Sequence, residues 1–538
     1  MERLLYSEPF KIEDSDVPYR CIAEDYVEVG DFEGHRILKI HYEGLVFLSE
    51  TAFTDMAYLL RSSHLKRLQE ILSASDSSKN DRYVALELIK NAVIASSRLF
   101  PLCQDTGTAI VFGKKGQMVW TGFNDREALS RGIFNAYTKN PLRYSQLIPL
   151  SMFDEKNSGN NLPAQIEIEA SGGNRYSFLF IAKGGGSSNK TYLFQKSKAI
   201  LNERALKEFI GEKIKEIGTA ACPPYHLVVV VGGTSPEFNL KTVKLASAGY
   251  LDSLPEEGGK SLAFRDREFE RWLIEKAKDL GIGAQFGGRY FAIETRALRL
   301  PRHGASCFVG IGVSCSAHRN ILGYISDEGI FLERLEEDPA RFLPTASFED
   351  MEGAYEINMD SGMARLREEL SKIPVGARLR LKGHMIVARD MAHSKVLNRL
   401  KRGESLPSYI YEYPIYYAGP AKTVPGYPSG SFGPTTSARM DPYVPEFQKQ
   451  GISLVMVGKG NRSSMVKDSC KRYGGFYLGS IGGGAARIGK ECIRDMRLLD
   501  YEELGMEAIY MIEVEDFPAF LIIDDKGNDF YETVHGGL

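Results

Sequence analysis

The stretch FLFIAKGGGSSNKTYL, residues 178–193, joins a strand-like apolar run to a glycine cluster. A buried strand that enters a glycine turn is typical of proteins that alternate strands and helices. The stretch resembles a Walker loop, which reads G-x-x-x-x-G-K-[ST], but counting from Gly184 puts Asn189 where the second glycine belongs. Asn189 therefore argues against a phosphate site, and Gly184 to Gly186 predict an N–H-rich loop for another anion.

Further strands and helices surround this loop. The predicted strands, all rich in β-branched or alternating apolar residues, are QIEIEA (165–170), SFLFIAK (177–183) and HLVVVVGG (226–233). Helical spacing of apolar residues predicts helices at 203–218 and 265–280. An earlier helix is predicted in NDRYVALELIKNAVIASSRLF (80–100), with Asn80 or Asp81 as its cap and Pro101 as its stop.

The second half of the chain follows an acidic, irregular segment at residues 332–350 that is typical of a linker. Its predicted strands are ARLRLKGHMIVARD (377–390), ISLVMVGKG (452–460), GGFYLGSIGG (474–483) and AIYMIEVEDFPAFLIIDD (508–525). A chain of 538 residues is long enough for two or more domains. The sequence therefore predicts two mixed α/β domains, residues 1–331 and 351–538, joined by the linker 332–350.

Composition excludes several classes of protein. Hydrophobic residues make up 43% and charged residues 25% of the chain, and the formal net charge is -3. That balance is ordinary for a globular protein and lacks the basic excess expected of a nucleic-acid binder. No apolar run approaches the ~20 residues that cross a bilayer. The first residues resemble neither a signal nor a transit peptide, so we expect a cytoplasmic protein.

Three of the seven cysteines stand at the ends of predicted elements. They are Cys103 in FPLCQDTG, Cys222 in GTAACPPYHL and Cys315 in GVSCSAHRN. Seven cysteines are too few for a disulfide framework in a chain of this length, and an odd number cannot all be paired. No Cys-x-x-Cys pair marks a zinc site. Loop ends are where functional groups are presented, although three buried packing cysteines would have the same pattern.

Basic residues form a second group in the C-terminal half. Arg389, Arg439 and Lys459 each follow a strand or lie in a loop rich in Gly, Ser and Thr. Such loops offer free N–H groups and hydroxyls, and arginine grips a carboxylate with two hydrogen bonds. The pattern predicts an anion site as readily as it predicts solvated surface charge.

Taken together, these segments resemble one family. The motifs, in chain order, are PLCQDTGTAI, AKGGGSSNK, GTAACPPYHL, GGTSPEFNLKTVKLAS, GVSCSAHRN, SGSFGPTTSARMD, KGNRS and GFYLGSIGG. They resemble the class I iron–sulfur fumarate hydratases over nearly the whole chain. The related L(+)-tartrate dehydratases and two-subunit fumarases share the pattern but divide it between two chains, so the single chain favours the fused form.

The resemblance implies a role for each matching residue. A 4Fe–4S cluster would be held by Cys103, Cys222 and Cys315. The substrate would be bound by Gln104, Arg143, Gly186, Arg389, Arg439 and Lys459. Asp105 and Thr435 match the proposed acid and base, and His303 matches a further active-site position. Three thiolates for four irons leave one iron open as a Lewis acid.

The implied function is the reversible hydration of fumarate to (S)-malate, with L(+)-tartrate dehydratase or a related hydroxy-acid dehydratase as the alternative. The resemblance also implies a homodimer, an active site between the two domains and loss of activity in air. The glycine loop would then face the substrate carboxylate or the cluster sulfides. His318 stands where relatives are expected to carry an acidic residue.

Two other classes of function remain to be tested against this interpretation. A nucleotide-binding module would need a true Walker loop, and that loop requires a glycine where this chain has Asn189. A non-catalytic scaffold would leave both the three loop cysteines and the Arg, Lys and Thr residues without a purpose.

Overall fold

The computed structural model describes residues 17–258, 262–344 and 353–535 as a mixed α/β protein with several sheets. Elements are numbered in chain order. The strands are β1 (Tyr19–Ala23), β2 (Val27–Phe32), β3 (His35–Ile40), β4 (Thr108–Gly116), β5 (Val119–Trp120), β6 (Leu147–Pro149), β7 (Glu155–Asn157), β8 (Gln165–Ser171), β9 (Tyr176–Lys183), β10 (Tyr192–Lys196), β11 (Tyr225–Gly233), β12 (Phe264–Arg265), β13 (Ala292–Arg302), β14 (Cys307–Ser314), β15 (Asn320–Ser326), β16 (Gly329–Glu333), β17 (Tyr355–Asn358), β18 (Arg378–Val387), β19 (Ile415–Tyr416), β20 (Ala418–Pro420), β21 (Phe432–Pro434), β22 (Val455–Gly458), β23 (Phe476–Ser480), β24 (Ile493–Asp500) and β25 (Ile509–Ile523).

Helices connect and cover these strands. They are α1 (Tyr42–Tyr58), α2 (Ser62–Ser73), α3 (Lys79–Ser96), α4 (Asp125–Lys139), α5 (Gly185–Ser188), α6 (Glu203–Ile217), α7 (Pro236–Ser247), α8 (Arg267–Lys278), α9 (Met363–Ser371), α10 (Asp390–Lys401), α11 (Tyr409–Glu412), α12 (Val444–Lys449), α13 (Ser464–Tyr473), α14 (Ala485–Arg487) and α15 (Phe530–His535). Short 3-10 turns cover Lys198–Ile200, Pro339–Phe342, Ser437–Tyr443 and Glu502–Glu507, and a π turn covers Ile488–Cys492. No described helix is both long and apolar enough to cross a membrane.

Two large sheets lie in the part of the chain before residue 334. The first has the order β1-β16-β15-β9-β4-β8, and the second has the order β10-β14-β11-β13-β12. Most neighbours are antiparallel, but β4 runs parallel to β8 and β11 runs parallel to β13. Strands β9 and β11 are buried along their whole length, as their continuous apolar sequences predict. Their ends place the glycine loop and Cys222 near each other.

The third large sheet contains only strands that follow residue 354. Its order is β17-β18-β19-β22-β23-β25-β24, and the first five strands are parallel. The long strand β25 pairs with β23 and β24 on one edge and with β18 on the other, so the sheet closes on itself. Because β18, β22 and β23 run in the same direction, their carboxyl ends lie on the same side of the sheet. The residues that follow these ends include Arg389, Lys459 and Gly482.

The predicted elements are confirmed, with two corrections at helix α3. Its N-cap is Ser78 rather than Asn80 or Asp81: the Ser78 hydroxyl accepts the Asp81 N–H, and the Asp81 carboxylate accepts the Ser78 N–H. The helix also ends at Ser96, before the predicted stop at Pro101, because Arg98 adopts a positive φ of 61°. The chain between Ser96 and β4 is therefore a loop, and this loop carries Cys103.

The predicted linker 332–350 is partly regular structure. Residues 332–333 complete β16, residues 339–342 form a 3-10 turn, and residues 345–350 lie outside the described ranges. Phe342 is buried in the largest apolar core, which contains residues from both sides of this segment. Within that core, the rings of Phe286 and Phe520 stack with centroids 3.9 Å apart. The two halves of the chain thus share buried apolar surface.

Candidate active site

Three loops from different parts of the chain present the three cysteines. Cys103 lies between α3 and β4, Cys222 between α6 and β11, and Cys315 directly after β14. Cys222 is held at a positive φ of 63° ahead of two prolines, a conformation that an L-residue adopts only under constraint. The pKa of the Cys222 thiol responds to both Cys315 and Cys103, so the three sulfurs share one electrostatic neighbourhood.

Lys459 faces this group of thiols. Its ammonium donates to the Cys222 Sγ at 2.9 Å, across 237 positions of sequence. Burial raises the pKa of Cys222 to about 11, and Lys459 opposes that rise. Burial alone would lower the pKa of Lys459, but Cys222, with the other two cysteines, raises it instead. A cation beside buried sulfurs stabilises the thiolate form that binds metal.

The surroundings of Cys222 fit a bulky inorganic group. Gly482 and Gly483 follow β23, and a Cβ added at Gly482 would overlap the Cys222 Sγ. A Cβ added at Gly483, whose φ is +96°, would overlap the Ser316 hydroxyl next to Cys315. Glycine at position 482 therefore leaves the Cys222 sulfur the space that a larger residue would take, and Gly483 does the same for the residue after Cys315. Among the described residues, no three His, Cys, Asp or Glu side chains converge on a single metal ion. A cubane iron–sulfur cluster does not need ligands that converge on one ion, because each cysteine binds a separate iron.

Asp105 joins the cysteine loop to the glycine loop. Its carboxylate accepts the Gly185 N–H at 2.8 Å and lies 3.3 Å from the Arg143 guanidinium. Burial would raise the pKa of Asp105, but Arg143 and Arg319, with the Gly185 N–H, hold it below its ordinary value. Asp105 is therefore ionised at neutral pH. Part of the N–H-rich loop predicted for an anion thus serves a carboxylate of the protein itself.

Arg319 is a functional candidate that sequence reasoning missed. It is only 3% exposed and lies beside Gly184, where its guanidinium would be 3.5 Å from an added Cβ. Burial would lower its pKa, but Cys103, Cys315 and Asp105 raise it. A buried cation among acidic groups compensates for negative charge on the thiols. Its position four residues after Cys315 was visible, but no motif distinguished it from a surface arginine.

Three further arginines approach one another on the other side of Asp105. Arg389 is 7% exposed, and burial together with the neighbouring Arg143 lowers its pKa to about 10, with Arg439 adding to the effect. The Arg389 Nε is buried without a hydrogen-bond partner in the described structure. Like charges that are held together, and partly unpaired, mark a site for an anion. Of the residues predicted from the loops to bind an anion, Arg389 and Arg439 thus lie together with Arg143, while Lys459 faces the thiols.

Thr435 lies at the edge of this arginine cluster. The Arg439 guanidinium donates to the Thr435 hydroxyl at 2.5 Å and to the Asp390 carboxylate at 2.9 Å. Asp390 begins α10 with a positive φ of 24°, a strained value of the kind found at functional sites. A cation that donates to the Thr435 oxygen stabilises its negatively charged form. Asp390, another residue that the sequence did not reveal, holds that cation in place.

Gln104 and Gly186 complete the described neighbourhood. The Gln104 amide donates to the Pro434 carbonyl at 3.1 Å, next to Thr435, and the Cys103 thiol lies 3.5 Å from the Gln104 oxygen. Gly186 lies against the Cys222 loop, and a Cβ there would stand 3.8 Å from the Lys459 ammonium. Both residues therefore border the space between the cysteines and the arginines.

Two histidines lie elsewhere. His303 is exposed in the turn between β13 and β14, where its ring accepts the Ala305 N–H at 3.2 Å. Its described contacts are with its own turn, so its active-site role stays a prediction. His318 is buried behind the cysteine loop, where it bonds Ser314 and Asn320.

The site therefore has two chemically different faces. One face is a set of buried and half-buried thiols with two cations beside it, and the other is a cluster of guanidinium groups with one hydroxyl. Ionised Asp105 lies between them, in electrostatic contact with Arg143 on one side and with Lys459 on the other.

Comparison with known proteins identifies the family. The model of the fumarate hydratase (fumerase) family matches residues 48–323, and the model of the fumarase C-terminus matches residues 329–534. The aerobic class I fumarate hydratase of Escherichia coli strain K12 is 53% identical over 531 residues, which cover 98% of this chain and 97% of that protein. The anaerobic class I enzyme of the same strain is 53% identical over 532 residues, covering 98% and 97%. Fumarate hydratase 2 of Leishmania major is 53% identical over 511 residues, covering 95% and 90%.

Both family models fall within one chain, in the order that the sequence motifs predicted, and the similarity to full-length relatives leaves neither half of the site unmatched. The chain belongs to the fumarate hydratase family, as a class I member with both parts fused in a single polypeptide.

Proposed function

We propose that this class I fumarate hydratase interconverts fumarate and (S)-malate at a 4Fe–4S cluster held by Cys103, Cys222 and Cys315. The observation that carries the proposal is the meeting of these three thiols, of which Cys222 is buried and the other two are partly exposed, with Lys459 on one side of Asp105 and the arginine cluster on the other. When bound, a cluster with only three protein thiolates supplies an iron that acts as a Lewis acid toward a hydroxyl. The similarity to full-length fumarate hydratases does not favour the L(+)-tartrate dehydratase alternative.

The arginine cluster binds the two substrate carboxylates. Arg389 is costly to keep charged beside Arg143 in the free protein, and a carboxylate between them removes that cost. Loss of the C3 proton in dehydration builds negative charge onto the adjacent carboxylate. Guanidinium groups held against that carboxylate therefore stabilise the transition state more than the ground state.

Thr435 and Asp105 move the protons. A threonine hydroxyl is a weak base by itself, and the Arg439 guanidinium at 2.5 Å from its oxygen stabilises the charge that it needs to accept the C3 proton. In the hydration direction ionised Asp105 is the base that takes a proton from water. In dehydration the same group is the acid for the departing hydroxyl, and it must first take up a proton, because its lowered pKa leaves it ionised at rest.

The remaining site residues are part of the same proposal. Gln104, Gly186 and Lys459 contact the substrate, and His303 contributes to the active site. The two halves of the chain act as two α/β domains with the site between them, consistent with the hydrogen bond from Gln104 to Pro434 and the bond from Lys459 to Cys222. We further propose a cytoplasmic homodimer that loses activity in air.

The test is Cys315→Ser, prepared without oxygen beside the unaltered chain. We expect the variant to lose inorganic iron and sulfide and to stop forming fumarate from malate. Cys21→Ser, at an exposed position away from the site, is the control and should retain both. A fully active Cys315→Ser protein without iron would overturn the proposal.

A further inference from the structure

A buried chain of hydrogen bonds ends on the residue that follows Cys315. The His64 ring on α2 contacts the Ser316 carbonyl through Nε2 at 2.9 Å and the His226 Nε2 through Nδ1 at 3.0 Å. The His226 Nδ1 lies 2.8 Å from the Glu294 carboxylate on β13. The two histidines are 1% and 3% exposed. The chain therefore links α2, β11 and β13 to a cysteine loop, with both histidines buried and the Glu294 side chain 18% exposed at its outer end.

Ser316 joins two of the cysteine loops through its backbone. Its N–H, which belongs to the Cys315–Ser316 peptide, donates to the Cys222 carbonyl at 3.1 Å, while its carbonyl, which belongs to the Ser316–Ala317 peptide, faces His64. Both backbone hydrogen-bonding groups of this one residue are thus fixed, one by the neighbouring cysteine and the other by the histidine chain. A backbone rotation at Ser316 would change the spacing between Cys222 and Cys315.

The chain requires one more proton than two neutral imidazoles carry. The Ser316 carbonyl can only accept a hydrogen bond, and so can an ionised Glu294. Three hydrogen bonds between these two acceptors need three N–H groups, while a pair of neutral rings has two. With only two N–H groups, the two atoms of one of these contacts would face each other with lone pairs, at 3.0 Å or less inside the protein.

Burial opposes the extra charge, whereas the Glu294 carboxylate and the lone-pair repulsion between two neutral rings favour it; the contact geometry, which leaves no place for two facing lone pairs, decides for the charged form. Burial lowers the pKa of His64 to about 3 and also lowers that of His226. Glu294 supplies the counter-charge, and although burial would raise its pKa, His226, Arg296 and Arg67 keep it ionised. His318 stacks on His226 with ring centroids 3.8 Å apart.

We propose that His64, His226 and Glu294 share this third proton in a charged chain that positions the Ser316 peptide and, through it, Cys222 and Cys315. The part that concerns the cysteines rests on the proposed iron–sulfur function. His64 and His226 are positioning residues, since their chain reaches the cysteine loop through the Ser316 backbone and not through a thiol. His318, which differs in type from the acidic residue expected in relatives, forms one face of the chain.

The protonation is tested by ¹⁵N NMR of the full chain labelled at histidine, without regard to any cluster. We expect both ring nitrogens of His226 to be protonated at neutral pH, and His64→Gln serves to assign the signals. A His226 ring with one bare nitrogen would overturn the charged chain. This result does not depend on whether the protein holds iron.

The positioning role is tested by the rate at which a chelator removes iron from protein prepared without oxygen. His64→Leu removes both hydrogen bonds, and we expect iron loss to accelerate about tenfold or more, as for other residues that orient metal ligands. His64→Gln can donate to Ser316 and accept from His226, so it should restore slow loss. His393→Leu is the matched control, because His393 is 2% exposed and neither of its ring nitrogens has a partner among the described residues.

Equal rates in the unaltered chain and His64→Leu would overturn the positioning role. The positioning role would also be overturned if His64→Gln lost iron as fast as His64→Leu while His393→Leu lost it slowly. An unaltered chain without iron or sulfide would instead refute the proposed function, and the NMR result would still stand by itself.

Discussion

Replacing Arg389 by methionine should make the protein more stable and nearly inactive. Methionine keeps an unbranched apolar stem, although a shorter one, and removes the charge of a residue that is 7% exposed. Burial and the neighbouring Arg143 and Arg439 lower the pKa of Arg389 from 12.5 to about 10. At 1.36 kcal/mol for each pKa unit, this corresponds to a cost of roughly 3 kcal/mol for holding the charge in the folded protein.

The sign follows from the direction of that pKa change. A cation with a lowered pKa in the folded state destabilises the fold throughout the neutral range, where it stays charged in both folded and unfolded protein. Its compensating contacts are weak: the Glu507 carboxylate is 3.7 Å away and the Met506 carbonyl is 3.4 Å away. We therefore expect Arg389→Met to raise the free energy of unfolding by about 1–3 kcal/mol.

Activity should move in the opposite direction. Truncating one partner of a desolvated charged pair costs about 2–5 kcal/mol, so kcat/KM for malate should fall by a factor of about 30 to 5,000. Thermal unfolding and anaerobic fumarate formation are measured on the same preparation. Arg380→Met, on the exposed part of the preceding strand, is the control and should change neither quantity strongly. A variant that is less stable yet fully active would refute the assignment of Arg389 to the substrate.

Three further changes test other parts of the site. Gly482→Ala should lower iron and sulfide content because its methyl would overlap the Cys222 sulfur, whereas Gly484→Ala, with nothing within 4 Å, should bind iron normally. Lys459→Met should raise the pKa of Cys222 further, so alkylation of that thiol in iron-free protein should need a higher pH than in the unaltered chain. Asp105→Asn should lower kcat by about 10²- to 10⁴-fold. Ionised Asp105 also stabilises the fold at any pH above its unfolded pKa, and this stability is lost as the pH falls through its lower folded pKa. The variant should lack this contribution, which acid unfolding curves would show. Unchanged acid unfolding in the Asp105→Asn variant would contradict the ion pairing of this carboxylate.

Much of the site could be predicted from the sequence because its residues lie in motifs at the ends of regular elements. Cys103, Cys222 and Cys315 were visible in three loops, and the structure brings them into one neighbourhood. Arg389 was visible at the end of a predicted strand, and Arg439 in a loop rich in Gly, Ser and Thr. The local pattern was sufficient to identify these residues because they lie at the ends of regular elements, and those ends determine where the loops meet.

The missed residues depend on contacts between distant segments. Asp390 is recognisable only through Arg439, 49 positions away, and Arg319 only through its burial beside the thiols. His64 and His226 are 162 positions apart and carry no motif. The closure of the third sheet by β25 is equally hidden, because one strand's periodicity does not reveal that it pairs with three partners.

The central claim is that three thiolates hold an iron–sulfur cluster at which malate and fumarate are interconverted. The most direct measurement counts iron and acid-labile sulfide in an oxygen-free preparation while the same sample is assayed for fumarate formation. We predict about four of each per active chain, with activity falling in proportion as iron is lost in air. Undiminished turnover in a sample that contains neither element would contradict the account.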